Sequence, residues 1–236
     1  MGKVNSLQFA KWNNIVIGKW NTNQLSTLKV GLLSIWEFDE TTGTPIDAKG
    51  ANTMAVQAGS PTINQTGKIN KAVYFSGGSK YRINPLNSVV ASAGGISLWF
   101  NISNYQNYTE MIGCYPYDSN RYIGWYCYQG NFYAYTGSGA QLLVAAANAS
   151  YLTNRWTHVL STWDASYFYH YLDGVFIGQT ANSLNPPSYI EVGGAAWGGA
   201  FMTGYYDQFA LWTKTLNAGE VSMVYNSGNG LAYSLW

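Results

Sequence analysis

The sequence predicts two antiparallel β-sheets packed face to face, with one short helix near the C-terminus. Three observations carry this. Tyr167, Tyr169 and Tyr171 alternate with Phe168, His170 and Leu172, the two-residue period of a strand whose faces meet different surroundings. Gly and Asn recur in clusters at roughly 8–12-residue intervals, the turn rhythm of an antiparallel sandwich. Only one stretch reads as a helix: Asn217 caps it with Glu220 three residues on, Val221 and Val224 form the apolar stripe, and Gly228 lies just past the end. The 236 residues suit one such sandwich, and no internal repeat suggests a propeller or a solenoid.

Along the chain, residues 1–29 differ from the rest. They carry Lys3, Lys11, Lys19 and Lys29, and no acid precedes Glu37. Lys11-Trp12-Asn13 recurs as Lys19-Trp20-Asn21 around Asn14-Ile15-Val16-Ile17-Gly18, which predicts a small hairpin. This segment is either a first ribbon laid against the domain or an arm that docks it onto a larger body. The domain proper is expected over 30–236. Val30 to Phe38 reads as its opening strand, Thr41-Thr42-Gly43-Thr44-Pro45 as a turn and Asn52 to Ala58 as a short strand. Lys71 to Gly78 enters a hairpin from which Tyr81-Arg82-Ile83 returns, and Ile96 to Phe100 is a further strand.

Composition narrows the function classes. Charged residues are 10% of the chain, against about 25% in ordinary domains. Asn, Ser, Thr, Gly and Tyr must therefore form the surface, which suits a protein outside the cytoplasm or one packed into a large assembly. A net charge of +1 without Lys/Arg clusters argues against a nucleic-acid partner. No apolar run is long enough to span a membrane. The N-terminus shows no apolar core of a secretory signal, so the expectation is a removed signal or release by lysis. Aromatics reach 17%, with 20 Tyr and 10 Trp; such rings serve either sandwich cores or exposed platforms for sugars and partners.

Cys114 and Cys127 are expected to be thiols. If Tyr117-Asp118-Ser119-Asn120 makes a tight turn, Cys114 faces Ile123 and Cys127 lies further along, about 13 Å away at 3.3 Å per residue. That is beyond disulfide reach, and no Cys/His metal site is expected.

Four motifs in the last third fall in a fixed order: Arg155-Trp156-Thr157-His158-Val159, Tyr169-His170-Tyr171-Leu172-Asp173-Gly174, Thr203-Gly204-Tyr205-Tyr206-Asp207-Gln208-Phe209 and Leu216-Asn217-Ala218-Gly219-Glu220-Val221. With the opening strand at 30–38, the 71–78 hairpin and Ile96-Ser97-Leu98-Trp99-Phe100, they resemble the laminin-G-like, concanavalin A-type jelly-roll family. The resemblance covers about 30–236 and breaks down mainly between 104 and 150. It implies an all-β, antiparallel two-sheet jelly-roll sandwich. It also implies one structural Ca²⁺, with Asp207 in the next-to-last strand as ligand beside backbone carbonyls, and Asp39 and Asp47 adding charge from early loops. His158 stands where the family carries a structural histidine, which implies a hydrogen-bonded core or half-buried role.

Catalysis finds little support. Related folds hydrolyse glucans through carboxylates two apart on one strand face. Glu37 and Asp39 share a face, Glu40 points away, and Glu110, Asp118 and Glu191 have no neighbouring acid in sequence. No G-x-S-x-G elbow accompanies the histidines, and no G-x-G-x-x-G leads from strand to helix. Sugar stacking has two candidate places: the aromatic hairpin of Trp125, Tyr126, Tyr128, Tyr133 and Tyr135, and Trp197 in the Gly-rich loop 193–201.

The resulting expectation is a non-catalytic binding and structural module, with glycans or a host surface as partner. Its segment 224–230 resembles laminin-G-like modules of phage structural proteins. This implies a virion-surface protein (capsid decoration, head fibre or tail-associated) that forms homo-oligomers and meets other virion proteins through residues 1–29. The alternatives are a secreted bacterial carbohydrate-binding module and, third, a glycoside hydrolase.

Overall fold

A computed structural model describes residues 11–12, 15–16, 22–86, 88–89, 91–104, 108–115, 123–136, 142–147, 152–195, 199 and 201–236. A small hairpin pairs β1 (Lys11–Trp12) with β2 (Ile15–Val16). Helix α1 (Thr22–Leu25) continues as a 3-10 turn, Ser26–Lys29, before β3 (Leu32–Trp36). Then come β4 (Met54–Ala58), β5 (Thr62–Thr66), β6 (Lys71–Ser76) and β7 (Lys80–Ile83). They are followed by β8 (Gly94–Ile102), β9 (Tyr108–Tyr115), β10 (Ile123–Tyr128), β11 (Asn131–Thr136) and β12 (Leu142–Ala147). The last strands are β13 (Thr157–Trp163), β14 (Tyr167–Leu172), β15 (Val175–Ala181), β16 (Tyr189–Val192) and β17 (Thr203–Trp212). Helix α2 (Ala218–Tyr225) follows.

One sheet has seven strands in the order β12-β11-β10-β9-β16-β7-β4; the other has eight, β15-β14-β13-β8-β17-β6-β5, with β3 also on β17. All strand pairings within them are antiparallel. The expected jelly-roll sandwich is thus the observed fold. Alternation along each strand sends one set of side chains inward: Trp36, Phe75, Tyr81, Phe100, Trp125, Phe132, Phe168, Tyr206 and Phe209 lie in the core between the sheets. The Tyr206 hydroxyl donates to the Met111 carbonyl oxygen at 2.7 Å, tying one sheet to the other.

The outer face of the eight-stranded sheet carries a second core. Leu25 and Leu28 from the first helical turns meet Leu160, Trp212, Val221, Val224 and Trp236. The Trp212 indole donates to the Leu28 carbonyl at 2.9 Å and the Lys214 ammonium to that of Thr27 at 2.9 Å. Residues 22–29 are therefore packed against the sandwich, and a second short helix stands where the sequence suggested a ribbon or a docking arm. The helical signal there was hidden: Leu25 and Leu28 lie three apart, but the segment is too short for a period to show.

The α2 start follows its sequence signature. Asn217 accepts from the Glu220 N–H at 3.0 Å and the Glu220 carboxylate accepts from the Asn217 N–H at 3.0 Å, a complete capping box. At the other end the left-handed cap residue is Asn226 (φ 48°), ahead of Gly228. Cys114 and Cys127 are free and buried. The Cys114 thiol donates to the Ile123 carbonyl, as the predicted hairpin register requires, and burial pushes both thiols up to about 12. The turn residues 117–120 lie outside the described set. Also among the described residues, no helix is long and apolar enough to cross a membrane.

His158 departs from expectation. It is completely buried, and neither ring nitrogen has a hydrogen-bond partner among the described residues. The ring is held by packing, 4.9 Å from Trp99 and 6.0 Å from Tyr225. His170 does find partners, Ser161 at 2.8 Å and Thr180 at 3.1 Å. Burial depresses His158 to about 3 and His170 to about 4. Between its unfolded value near 6.5 and its folded value, a histidine takes up a proton only when the chain unfolds, so stability falls as pH falls through that window. His158→Phe keeps the stacked ring and removes both orphaned nitrogens. We expect this variant to be more stable at pH 7 and to lose less stability than wild type between pH 7 and 4, by on the order of 3 kcal/mol. Urea unfolding at several pH values reads this directly, and an identical pH slope in both proteins would contradict it.

Candidate functional site

The antiparallel pairing of β9, β10 and β11 collects tyrosines on the outer face of the seven-stranded sheet. Tyr126 lies opposite Tyr133, and Tyr128 opposite Tyr108. A bulge in β9 between the partners of Trp125 and Tyr126 turns Tyr108 onto this face. The rings make a connected platform: Tyr126 stacks on Tyr133 at 5.1 Å and on Tyr108 at 5.4 Å, while Tyr108 meets Tyr128 edge-on at 5.6 Å. Tyr128 is exposed and the other three are half-buried. Rings locked against one another in this way lose little freedom on meeting a ligand, and each presents a flat apolar face with a hydroxyl at its edge.

Trp125 does not belong to this platform. Two-residue alternation turns it inward with Cys127, where it is fully buried and donates to the Ser161 hydroxyl at 3.0 Å. It is a core residue, which corrects the sequence expectation. The side chain of Tyr135 and all of Trp197 lie outside the described residues. Tyr108 was missed from sequence because it precedes the aromatic run and joins it only through β9–β10 pairing.

Further across the same face, Glu191 is fully buried and receives both Lys80 and Arg82. The Arg82 Nε donates to it at 2.9 Å, and the guanidinium lies 4.2 Å from the centre of the Tyr189 ring. Lys80 also donates to the Ala195 carbonyl at 2.8 Å, fastening the start of the Gly-rich loop to the sheet.

The early carboxylates each serve a loop. Strand β3 ends at Trp36 and Phe38 takes a left-handed conformation (φ 57°), so Glu37 and Asp39 do not share a regular strand face. Glu37 accepts from the Tyr233 N–H at 2.8 Å and Glu40 from that of Ile46 at 2.8 Å. Asp39 accepts from the Lys71 N–H at 2.8 Å and the Asn70 amide at 3.0 Å. Asp47 is committed elsewhere: its two oxygens accept from the N–H groups of Ile35, Lys49, Ala51 and Asn52 at 2.9–3.0 Å. Burial acts to raise its pKa, but these donors outweigh it and hold the carboxyl below the ordinary range.

Asp207 is different. It is fully buried; Oδ2 accepts from the Ile69 N–H at 2.6 Å, while Oδ1 has no partner among the described residues. Burial, with Asp39 and Glu37 nearby, pushes its pKa well above the ordinary range. The described residues hold no group of three or more His, Cys, Asp or Glu placed for a metal. Its orphaned oxygen lies in a neighbourhood that includes Asp39 and Glu37, and Asp47, committed to its own loop, is not part of that set.

A two-sheet jelly roll with an aromatic outer face has the form of a lectin-like domain. The family model for the concanavalin A-like lectin/glucanases superfamily matches residues 75–222, and the chain belongs to this superfamily. Among solved structures it is similar to domain 4 of AbnA, an extracellular GH43 arabinanase of Geobacillus stearothermophilus, in complex with arabinotriose. That similarity has a TM-score of 0.65 at 20% identity, over 85% of this chain and 98% of that one. It is also similar to the botulinum neurotoxin serotype D ligand binding domain in complex with N-acetylneuraminic acid, with a TM-score of 0.65 at 16% identity. A structure concerning botulinum neurotoxin type C and two ganglioside molecules gives 0.68 at 13% identity. In both toxin comparisons 86% of this chain is covered, and it spans about half of the toxin chains (52%). At these identities the likeness is one of fold. No curated protein sequence matches the chain.

The site and the core make opposite demands on neighbouring residues. Trp125→Ala is expected to cost about 3–5 kcal/mol of stability by emptying a packed position, whereas Tyr128→Ala should stay within about 1 kcal/mol of wild type. Denaturant unfolding of the two variants checks this, and a near-neutral Trp125→Ala would return that ring to the candidate platform.

Proposed function

We propose that this chain is a non-catalytic glycan-binding module whose sugar platform is the tyrosine cluster Tyr108, Tyr126, Tyr128 and Tyr133. The observation that carries this reading is the mutual contact, stacked or edge-on, of four solvent-reaching rings on one sheet face. Sugar rings present apolar C–H faces that stack on such platforms, while edge hydroxyls supply hydrogen bonds. The sugar-bound relatives of the same fold support the reading. The carboxylates that follow β3, Glu37, Asp39, Glu40 and Asp47, each accept from backbone N–H groups, which favours binding over bond cleavage.

The proposed setting is the surface of a phage virion, with the lysine-bearing first segment meeting other virion proteins and copies of the chain assembling together. The low charge and the resemblance of segment 224–230 support it. The alternative, an accessory module of a secreted bacterial hydrolase, is favoured by the near-complete coverage of the arabinanase domain. Arabino-oligosaccharide binding by an isolated monomer would select the alternative; a stable oligomer that ignores arabinan would select the virion.

The test of the platform is glycan-array screening followed by calorimetry on the best ligand. Tyr126→Ala and Tyr133→Ala are each expected to weaken binding roughly tenfold, about 1.4 kcal/mol, with unchanged melting temperature. Wild-type affinity in the double variant would refute the platform, and sugar release during incubation would refute the non-catalytic assignment.

We further propose one Ca²⁺ held by Asp207, with Asp39 beside it. The cation competes with a proton for the raised Asp207 carboxyl, so its binding strengthens as pH rises. Calcium should raise the melting temperature of the wild type, more at pH 8 than at pH 6, and should not raise that of Asp207→Asn. An equal calcium response in both proteins would remove Asp207 as a ligand.

A further inference from the structure

The eight-stranded sheet carries a second row of rings, on the opposite side of the sandwich from the tyrosine platform. Tyr205 in β17 lies opposite Asn101 of β8 on one side and opposite Tyr74 of β6 on the other. Tyr74 in turn lies opposite Thr62 of β5. Trp156 precedes β13 by one residue and comes beside Asn101, because Thr157 pairs with Phe100. The order Trp156–Asn101–Tyr205–Tyr74–Thr62 therefore runs straight across the strands. Four strand spacings of about 4.8 Å give it a length of ~19 Å.

The row is rigid and reaches solvent. The Tyr74 and Tyr205 rings lie 4.9 Å apart, and Trp156 and Tyr205 are 6.4 Å apart. Trp156 is braced from behind by the cluster of Ile69, Trp99 and Ala232. Tyr74, Asn101, Trp156 and Tyr205 are half-buried and Thr62 is exposed. Among the described residues, the Asn101 amide and the Tyr74 and Tyr205 hydroxyls make no side-chain hydrogen bond.

Charge selects the ligand class. The row contains no Asp, Glu, Lys or Arg, the adjacent Arg155 is paired with Asp173, and Lys68 is turned over the Trp99 ring. An acidic glycan finds no free cation in this row. An extended neutral chain finds three rings for its apolar faces and amide and hydroxyl groups for its own hydroxyls. We propose that this row is a second binding surface, for a linear neutral polysaccharide lying across the strands. The chain is then bivalent, with sugar surfaces on opposite faces, and can bridge two polysaccharide strands. This surface does not depend on the tyrosine platform.

The test uses the full chain and a panel of linear arabinan, xylan and mixed-linkage β-glucan, with polygalacturonate as the acidic comparison. Binding is read by affinity electrophoresis and calorimetry, and bridging by turbidity of the long polymer. Tyr74→Ser/Tyr205→Ser is expected to weaken binding of a neutral polymer at least tenfold and to abolish turbidity. Asn101→Asp, which leaves all three rings in place, should weaken it roughly fivefold. Both variants should keep a melting temperature within a few degrees of wild type; if the double variant unfolds, Asn101→Asp alone decides. Tyr126→Ala/Tyr133→Ala should leave this surface's binding intact while also abolishing turbidity. The proposal is overturned if no neutral polymer of the panel binds. It is also overturned if the row variants bind as wild type does, or if they change only the oligomeric state, which would make the row a contact between copies.

Discussion

Strand β17 sets the geometry on which the rest of the molecule depends. It runs along β8 for most of its length, and its other edge is shared in succession by β6 near the start and β3 near the end. Strands distant in sequence are thus brought into one sheet by a single segment of ten residues. Its alternation divides its side chains between two environments. Tyr206, Phe209 and Leu211 enter the core between the sheets, while Ala210 and Trp212 enter the second core beneath the helices. The irregularity between Asp207 and Ala210, with Gln208 at φ 43°, is the extra residue that lets both halves keep their inward and outward sets. It also places Asp207 in a buried position with one oxygen unclaimed.

Both outer faces combine rings with groups that are anchored from below. On the seven-stranded sheet, the tyrosines rest on strands whose inward residues, Trp125, Cys127, Phe132 and Ala134, are wholly buried. On the eight-stranded sheet, Trp156 packs on the cluster of Ile69, Trp99 and Ala232 and in turn meets the Tyr205 ring. In each case the solvent-facing ring is held by a neighbour that cannot move without disturbing the core. Such anchoring keeps the ordering cost of binding low, which matters for ligands as weakly apolar as sugars.

Charge is scarce, and much of what there is performs structural work. Asp47 collects four backbone donors, Glu220 closes a capping box, Glu37 and Asp39 hold remote backbone, and Glu191 gathers Lys80 and Arg82. Carboxylates committed to backbone N–H groups are poorly placed for proton transfer to a substrate. The same commitment leaves uncharged Asn, Thr and Tyr to define the outer surfaces, consistent with recognition through stacking and hydrogen bonds.

Local pattern determined much on its own. The alternation of Tyr167–Leu172 predicted a strand with two unlike faces, Asn217 and Glu220 announced the α2 capping box, and counting through the intervening turn set Cys114 against Ile123. These depend on neighbours in sequence, so the sequence displays them. Tertiary structure alone decided which face each ring occupies and what covers it. Trp125 and Tyr126 are adjacent aromatics with opposite fates, because the pleat turns one into the core. Tyr108 joined the platform through a bulge, and residues 22–29 joined the second core through contacts with Trp212 and α2. Trp156, Asn101, Tyr205 and Tyr74 come from four separate segments and form a line only when their strands pair. Pairing between strands distant along the chain leaves no periodic trace in either strand, and for that reason the fold was legible where the surfaces were not.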